Sequence, residues 1–444
     1  MLQGKPIKSI TTFVIPMIFG SILQSMYGMA DTAIVGKFIG DSALASVGST
    51  GLIFNIMISL TTNFMTGFSV IAGQRVGAKD PDGLKRVYVN GIMLITMISV
   101  LVGVGLFLFS DTLMDIMKTP MELRDEAGKY INVIYLGMPA TMLYSFFGEM
   151  LRATGNSKKP FLYLVIASCI NIVLDLFFVC VLKTGVMGAG LATVISQAVS
   201  AILCFINLTR SSMYFRFNRK EMYFEKEIIG SCAKIGLPAT FLSAVICCGI
   251  FVLQVFTNSY GTEYIAANSA ASRIFGIYTT PLYCYCSGLS VFVAQNFGAK
   301  QYDRIRTGIR SVLGLLWTYS TVMIIISIFV SKYLISWIIS DTPIVVEWGN
   351  RITTINMCAH YALGFLVVTK SSLNAMGRPL MGTIQGFADV AIRIGVVVLG
   401  TKYFGFWGVA FGDGATWVIG AIIFVPMLII EYRKIYKQYG FKML

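Results

Sequence analysis

Residues 87–110 read VYVNGIMLITMISVLVGVGLFLFS, a run without one charged side chain. Coiled as an α-helix, such a run is about 36 Å long at 1.5 Å per residue, enough to cross roughly 30 Å of hydrocarbon. It lacks the short alternating pattern of a membrane β-strand. In lipid every backbone amide must find its partner inside the protein, and a helix manages this alone. The stretch therefore sets the class: all-α and membrane-spanning.

Comparable runs recur outward from it, near 10–34, 43–72, 130–150, 161–182 and 186–208. They continue near 235–258, 264–294, 308–330, 350–370, 380–400 and 406–430. The expectation is a polytopic bundle of about twelve transmembrane helices. Composition agrees: 56% of the 444 residues are hydrophobic and only 13% are charged. Mean hydropathy is +0.74. No soluble surface is built from so few charges.

The formal charge of +14 would point to nucleic acid in a soluble domain. Here the basic residues fall in alternate loops, as the positive-inside rule requires, so no nucleic-acid partner is expected. One side collects Arg75, Lys79, Lys85 and Arg86, then Arg152, Lys158 and Lys159, then Arg210, Arg216, Arg219 and Lys220. It also takes Lys300, Arg304, Arg306, Arg310 and a tail with Arg433, Lys434, Lys437 and Lys442. An opposite loop holds Asp111, Asp115, Glu122, Asp125 and Glu126, so both termini are expected to be cytoplasmic. Lys5 and Lys8 precede the first apolar run with no cleavage-type site, and that run is expected to remain as a span. The nine cysteines lie in or beside apolar runs at spacings that suit neither disulfides nor zinc, and read as small packing residues.

The chain repeats itself. Gln74-Arg-Val-Gly77-Ala78-Lys79 returns as Gln295-Asn-Phe-Gly298-Ala299-Lys300, and Leu151-x-Ala153-x-Gly155 as Leu373-x-Ala375-x-Gly377. Pro16 returns as Pro238, and Gly185-x-x-Gly188 as Gly405-x-x-Gly408. Four matches in order, at an offset near 222, indicate duplication. The halves are expected to be an N-terminal lobe over 1–208 and a C-terminal lobe over 232–444, joined by a cytoplasmic linker at 209–231. An even number of spans per half makes the two lobes pseudo-symmetric about the membrane normal, with a central cleft between them for a ligand.

Acids inside apolar runs mark function, since an ionised side chain at mid-bilayer costs about 2.5–3.5 kcal/mol even on an insertion scale. Asp31 lies in the first span, with Tyr27 four residues and Gln24 seven residues before it on one helical face. Asp175 is central in the fifth span, with Asn171 on its face. Burial and mutual repulsion penalise two ionised carboxylates, and a proton, metal ion or cationic solute relieves the penalty. Pro16 removes a backbone hydrogen bond in the first span and permits a bend. The second half differs. Its eleventh span places Asp389 and Arg393 one turn apart as an internal ion pair, a poor proton acceptor because the acid is held ionised. Gln254 is neutral, Arg273 is basic, and His360, the sole histidine, is either a pH sensor or a packing residue.

In these residues the sequence resembles the multidrug and toxic compound extrusion (MATE) family over its whole length. Pro16 and Asp31, Asn171-x-x-x-Asp175, the Gln-x-x-Gly-Ala-Lys element and Gly188-Ala-Gly-Leu-Ala-Thr193 carry the resemblance. It implies an antiporter in the cytoplasmic membrane of a prokaryote, exporting small organic, cationic compounds in exchange for H⁺ or Na⁺ and needing no cofactor. It further implies a first-lobe coupling site at Asp31, Asn171, Asp175 and Thr193, with Tyr27 and Gln24 in support; these oxygens suit Na⁺ and a shared proton equally. The seventh- and tenth-span acids of another subgroup are missing here. A lipid-linked oligosaccharide flippase of the same superfamily remains the alternative, kept open by Arg273 and Arg393. An enzyme is not expected, with one histidine and no nucleophile motif, and the working expectation is a monomer in membrane lipid.

Overall fold

The computed structural model describes residues 1–116, 119–211, 215–216, 221–338 and 342–439. Arg219, Lys220 and Lys442 of the basic loops lie outside the described residues. The first repeat comprises α1 (Pro6–Phe38), α2 (Asp41–Gly77), α3 (Pro81–Leu108) and a short α4 (Ser110–Ile116). It continues with α5 (Met121–Leu136), α6 (Met138–Ala153), α7 (Lys158–Asp175) and α8 (Val186–Ser211). The second comprises α9 (Lys226–Asn258), α10 (Thr262–Gly298), α11 (Tyr302–Ile338) and α12 (Pro343–Cys358). It ends with α13 (His360–Ala375), α14 (Pro379–Phe404), the single turn α15 (Trp407–Ala410) and α16 (Gly412–Tyr439).

Among the described residues nine helices are long and apolar enough to cross a membrane, or up to eleven when two bent pairs each count as one span. The bent pairs are α5 with α6, at 47°, and α12 with α13, at 50°. Pro139, in the first turn of α6, lacks the N–H that would continue α5, which explains the first bend. The second occurs without a proline. The remaining span of the expected twelve is α10, the counterpart of α2 by position. Glu263 and Arg273 lower its hydropathy, and buried Asn268, Thr279, Gln295 and Asn296 show why it tolerates polar residues: much of it faces protein.

Packing groups residues 12–240 into one compact unit and residues 1–11 with 241–444 into another. The connection between the repeats is 212–225, and the start of α9 packs with the first unit. There Cys232 is fully buried, and the backbone N–H of Glu225 donates to Asn90 Oδ1 at 2.8 Å. Gly67 lies so close to the backbone of Cys232 and Gly236 that no side chain fits at position 67. This is the small-residue contact by which helices approach in a membrane.

The first unit is built around Phe68, Tyr88, Phe146 and Phe147, with Phe68 edge-on to Phe146 at 5.8 Å. The second has an aromatic cluster of Tyr264, Trp348 and Phe406, with ring centroids at 4.4 and 4.9 Å from Phe406. Its Arg304 donates to the carbonyls of Met1, Gln3 and Gly4 and to Asn296 Oδ1, securing the start of the chain. All nine cysteines are free.

Candidate functional site

Helix α1 runs unbroken through Pro16 and brings Tyr27 and Asp31 onto the first unit's interior. Helix α7 supplies Asn171 and Asp175, both with no exposed surface. Immediately after Asp175 the backbone widens into a π-helical turn, Leu176–Val181, a distortion that recurs at functional sites in helices. Thr193 comes from the next helix, α8, and is buried.

These residues meet. With its amide oriented so that both ends find a partner, Asn171 donates Nδ2 to Asp175 Oδ2 at 2.9 Å. Its Oδ1 accepts from the Thr193 backbone N–H at 3.3 Å. Tyr27 donates its hydroxyl to Thr193 Oγ1 at 3.4 Å. Asp31 and Asp175 lie within electrostatic reach of each other. Each keeps one buried oxygen, Oδ1, with no hydrogen-bond partner among the described residues. Two carboxylate oxygens, a hydroxyl and an amide thus converge in one apolar interior. Gln24 does not join them; it is exposed, one turn before Tyr27 on α1.

Two further groups belong to this constellation. Tyr130 of α5 is buried within electrostatic reach of Asp31, Tyr27 and Asp175. Ser196 of α8 donates to the Thr193 carbonyl at 2.8 Å and lies beside Tyr27. Neither carried a signal in the sequence. A tyrosine in an apolar run reads as packing, and only the approach of α5 to α1 gives it charged neighbours.

In the second unit Arg393 Nη2 donates to Asp389 Oδ2 at 3.3 Å, as the one-turn spacing predicts. Sequence spacing did not reveal that Nη1 also pairs with Asp413 of α16, so one guanidinium serves two carboxylates. His360 is fully buried, with Nδ1 against Ser320 Oγ at 2.7 Å and the Phe275 and Tyr319 rings beside it. No described carboxylate touches it. Its Nε2 is buried with no hydrogen-bond partner among the described residues. Arg273 is exposed on α10, and Gln254 donates to Asn258 at 2.7 Å.

The MatE family model matches residues 16–177 and again residues 238–399, the same offset of 222 that the internal repeat shows. "Probable multidrug resistance protein YoeA" of Bacillus subtilis (strain 168) is 26% identical over 89% of this chain and 87% of its own length. "Multidrug export protein MepA" of Staphylococcus aureus (strain N315) is 26% identical over 90% of this chain and 89% of its own. The solved structure described as "Crystal structure of MATE in the bent conformation" superposes with a TM-score of 0.92 at 21% identity, covering 99% of this chain and 98% of that one. Matched in both halves by one family model and sharing that family's fold, the chain is a multi-pass membrane protein and belongs to the MatE family of multidrug and toxic compound extrusion transporters.

Proposed function

We propose that this transporter is a secondary antiporter that exports organic cations in exchange for H⁺ or Na⁺, with its coupling site in the first half. The observation that carries the reading is the pair Asp31 and Asp175, each holding a buried carboxylate oxygen with no hydrogen-bond partner. Two anionic oxygens in a low-dielectric interior are costly unless a cation joins them. A proton bound to either acid, or Na⁺ held among these oxygens and the Thr193 hydroxyl, lowers that cost.

In this reading Asn171 orients Asp175, and Tyr27 orients Thr193. Neither need gain or lose a proton. A cation entering from outside cancels one of the pair's two negative charges, and its release to the cytoplasm restores the charge for which a cationic substrate competes. The curated relatives named for multidrug resistance and export support the substrate class. The positive-inside pattern supports cytoplasmic termini.

A flippase for lipid-linked pyrophosphates would want basic groups free to bind phosphate. Arg393 is already engaged by two carboxylates, which argues against that alternative.

The test is uptake of cationic dyes into inverted membrane vesicles, which reads as efflux from the cytoplasmic face, with proton and sodium gradients imposed separately. One gradient should drive efflux by the wild type, and neither should drive it in Asp31→Asn or Asp175→Asn. Gradient-driven efflux persisting in both variants would remove the first half as the coupling site.

A further inference from the structure

The repeat aligns the candidate coupling site, residue by residue, with a different set in the second half. At the offset of 222, Tyr27 corresponds to Gly249, Asp31 to Leu253, Asn171 to Arg393 and Asp175 to Val397. In the last span of each repeat the offset is 220, as Gly185 and Gly188 match Gly405 and Gly408, and Thr193 corresponds to Asp413.

The substitutions compensate one another in space. Leu253 and Val397, standing where the first half has its two acids, are buried together in one apolar cluster with Phe406 and Val409. Gly249 replaces the bulk of Tyr27. A Cβ built on it would lie 3.4 Å from Arg393 Cδ, so the arginine stem runs through the space a tyrosine would take. One contact of the scheme survives with its charges altered, that of Asn171 with Thr193, which becomes Arg393 with Asp413; Asp389, four residues before Arg393, aligns with Ala167 and is an acid of the second half alone. In the first half an amide reaches a carboxylate one turn away and a threonine on the next helix. In the second a guanidinium reaches Asp389 one turn away and Asp413 on the next helix.

We infer that the second half carries a cation site of the duplicated architecture in which Arg393 is the permanently bound cation. Its guanidinium lies between Asp389 and Asp413, where a mobile cation would otherwise sit. The side chain is 8% exposed, and burial at that level demands a counter-charge. The second half therefore exchanges no cation with the medium. If the guanidinium is cut away, the Asp389–Asp413 pair becomes a site for a small planar organic cation, guanidinium or methylguanidinium, whose N–H groups match two carboxylates at once. Lys370 lies within electrostatic reach of Asp389 and is the one described side chain placed to compete for it.

The inference stands on the ion pairs and the repeat, and holds whichever ion drives the first half. It is tested by thermal unfolding of the full-length purified protein in detergent. Arg393→Ala, in a Lys370→Met background, should melt lower than Lys370→Met alone. Methylguanidinium at low millimolar concentration should restore most of the loss along a saturable curve. Urea, of the same shape but neutral, should not. Protein that retains Arg393 should not respond to either compound, and adding Asp413→Asn to Arg393→Ala should abolish the rescue. Should Arg393→Ala fail to accumulate, Arg393→Gln carries the same titration, and the charge-free combination Asp389→Asn, Arg393→Gln, Asp413→Asn should fold and give no response. A folded Arg393 variant in which methylguanidinium and urea act alike, or in which neither binds saturably, overturns the inference. Dye efflux by Asp31→Asn and Asp175→Asn reports separately on the first half, so the two readings fail independently.

Discussion

Replacing Asp175 by asparagine should stabilise the protein while it abolishes transport. Asp175 has no exposed surface; Oδ2 accepts from Asn171, and Oδ1 has no partner. An orphaned buried polar group costs about 1–3 kcal/mol, and more when charged. Asp31 close by adds repulsion. Asparagine keeps the volume and the acceptor toward Asn171, but its own NH₂ inherits the missing partner and returns about 1–2 kcal/mol of that relief. The balance favours the variant by about 1 kcal/mol, or a rise of about 2–4 °C in melting midpoint for a domain the size of one repeat. Asp175→Val installs the residue that the second repeat carries at Val397, and should act in the same direction. The assay is heating of purified protein in detergent followed by size-exclusion recovery, beside dye efflux in vesicles. An acid retained for structure would behave oppositely. A clear fall in midpoint, or efflux at wild-type rates, would refute the argument that this carboxylate is kept at the expense of stability because transport needs it.

Thr193→Val preserves shape and removes a hydroxyl. In a sodium-coupled protein it should weaken apparent Na⁺ affinity by about tenfold, the loss of one oxygen ligand worth roughly 1.4 kcal/mol, whereas proton-driven efflux should change little. Outside the membrane, Asp80 caps α3 by accepting from the Gly83 N–H at 2.9 Å, and it pairs with Arg75 at 2.8 Å. That backbone bond first, and Arg75 with it, hold the Asp80 carboxyl below the usual carboxylate value. Its contribution is thus complete above the ordinary range and is lost as pH falls through the lowered value. Asp80→Ala should cost about 1 kcal/mol near neutral pH and Asp80→Asn much less, measured by thermal unfolding. Gly67→Ala drives a methyl group into the backbone of Cys232 and should destabilise by about 1–3 kcal/mol, seen as reduced folded yield, with Gly28→Ala, where the space is open, as the control.

Span content, duplication and the two first-half acids were legible in the sequence because each rests on a one-dimensional quantity. Lipid sets a length and an apolarity for every span, so residues 87–110 declare themselves without reference to a neighbour. Gene-scale repetition leaves Pro16 and Pro238, or Gly77 and Gly298, at a constant offset. A carboxylate in a run that excludes charge is conspicuous, which marked Asp31, Asp175 and Asp389. One-turn spacing was likewise enough to pair Asp389 with Arg393. What tertiary structure alone decided is which helices bring their polar faces together. No spacing within α7 tells that Asn171 reaches Thr193 on α8, that Tyr130 of α5 faces the same acids, or that Arg393 has a second carboxylate in Asp413 of α16. It placed Gln24 outside the group and buried His360 against Ser320. It also showed that the polar residues which keep α10 below the hydropathy of a lipid-facing span are packed against protein. Helix periodicity fixes the face on which a side chain lies, but packing across helices chooses what that face meets, and both charge balance and hydrogen bonding in a dry interior depend on the meeting.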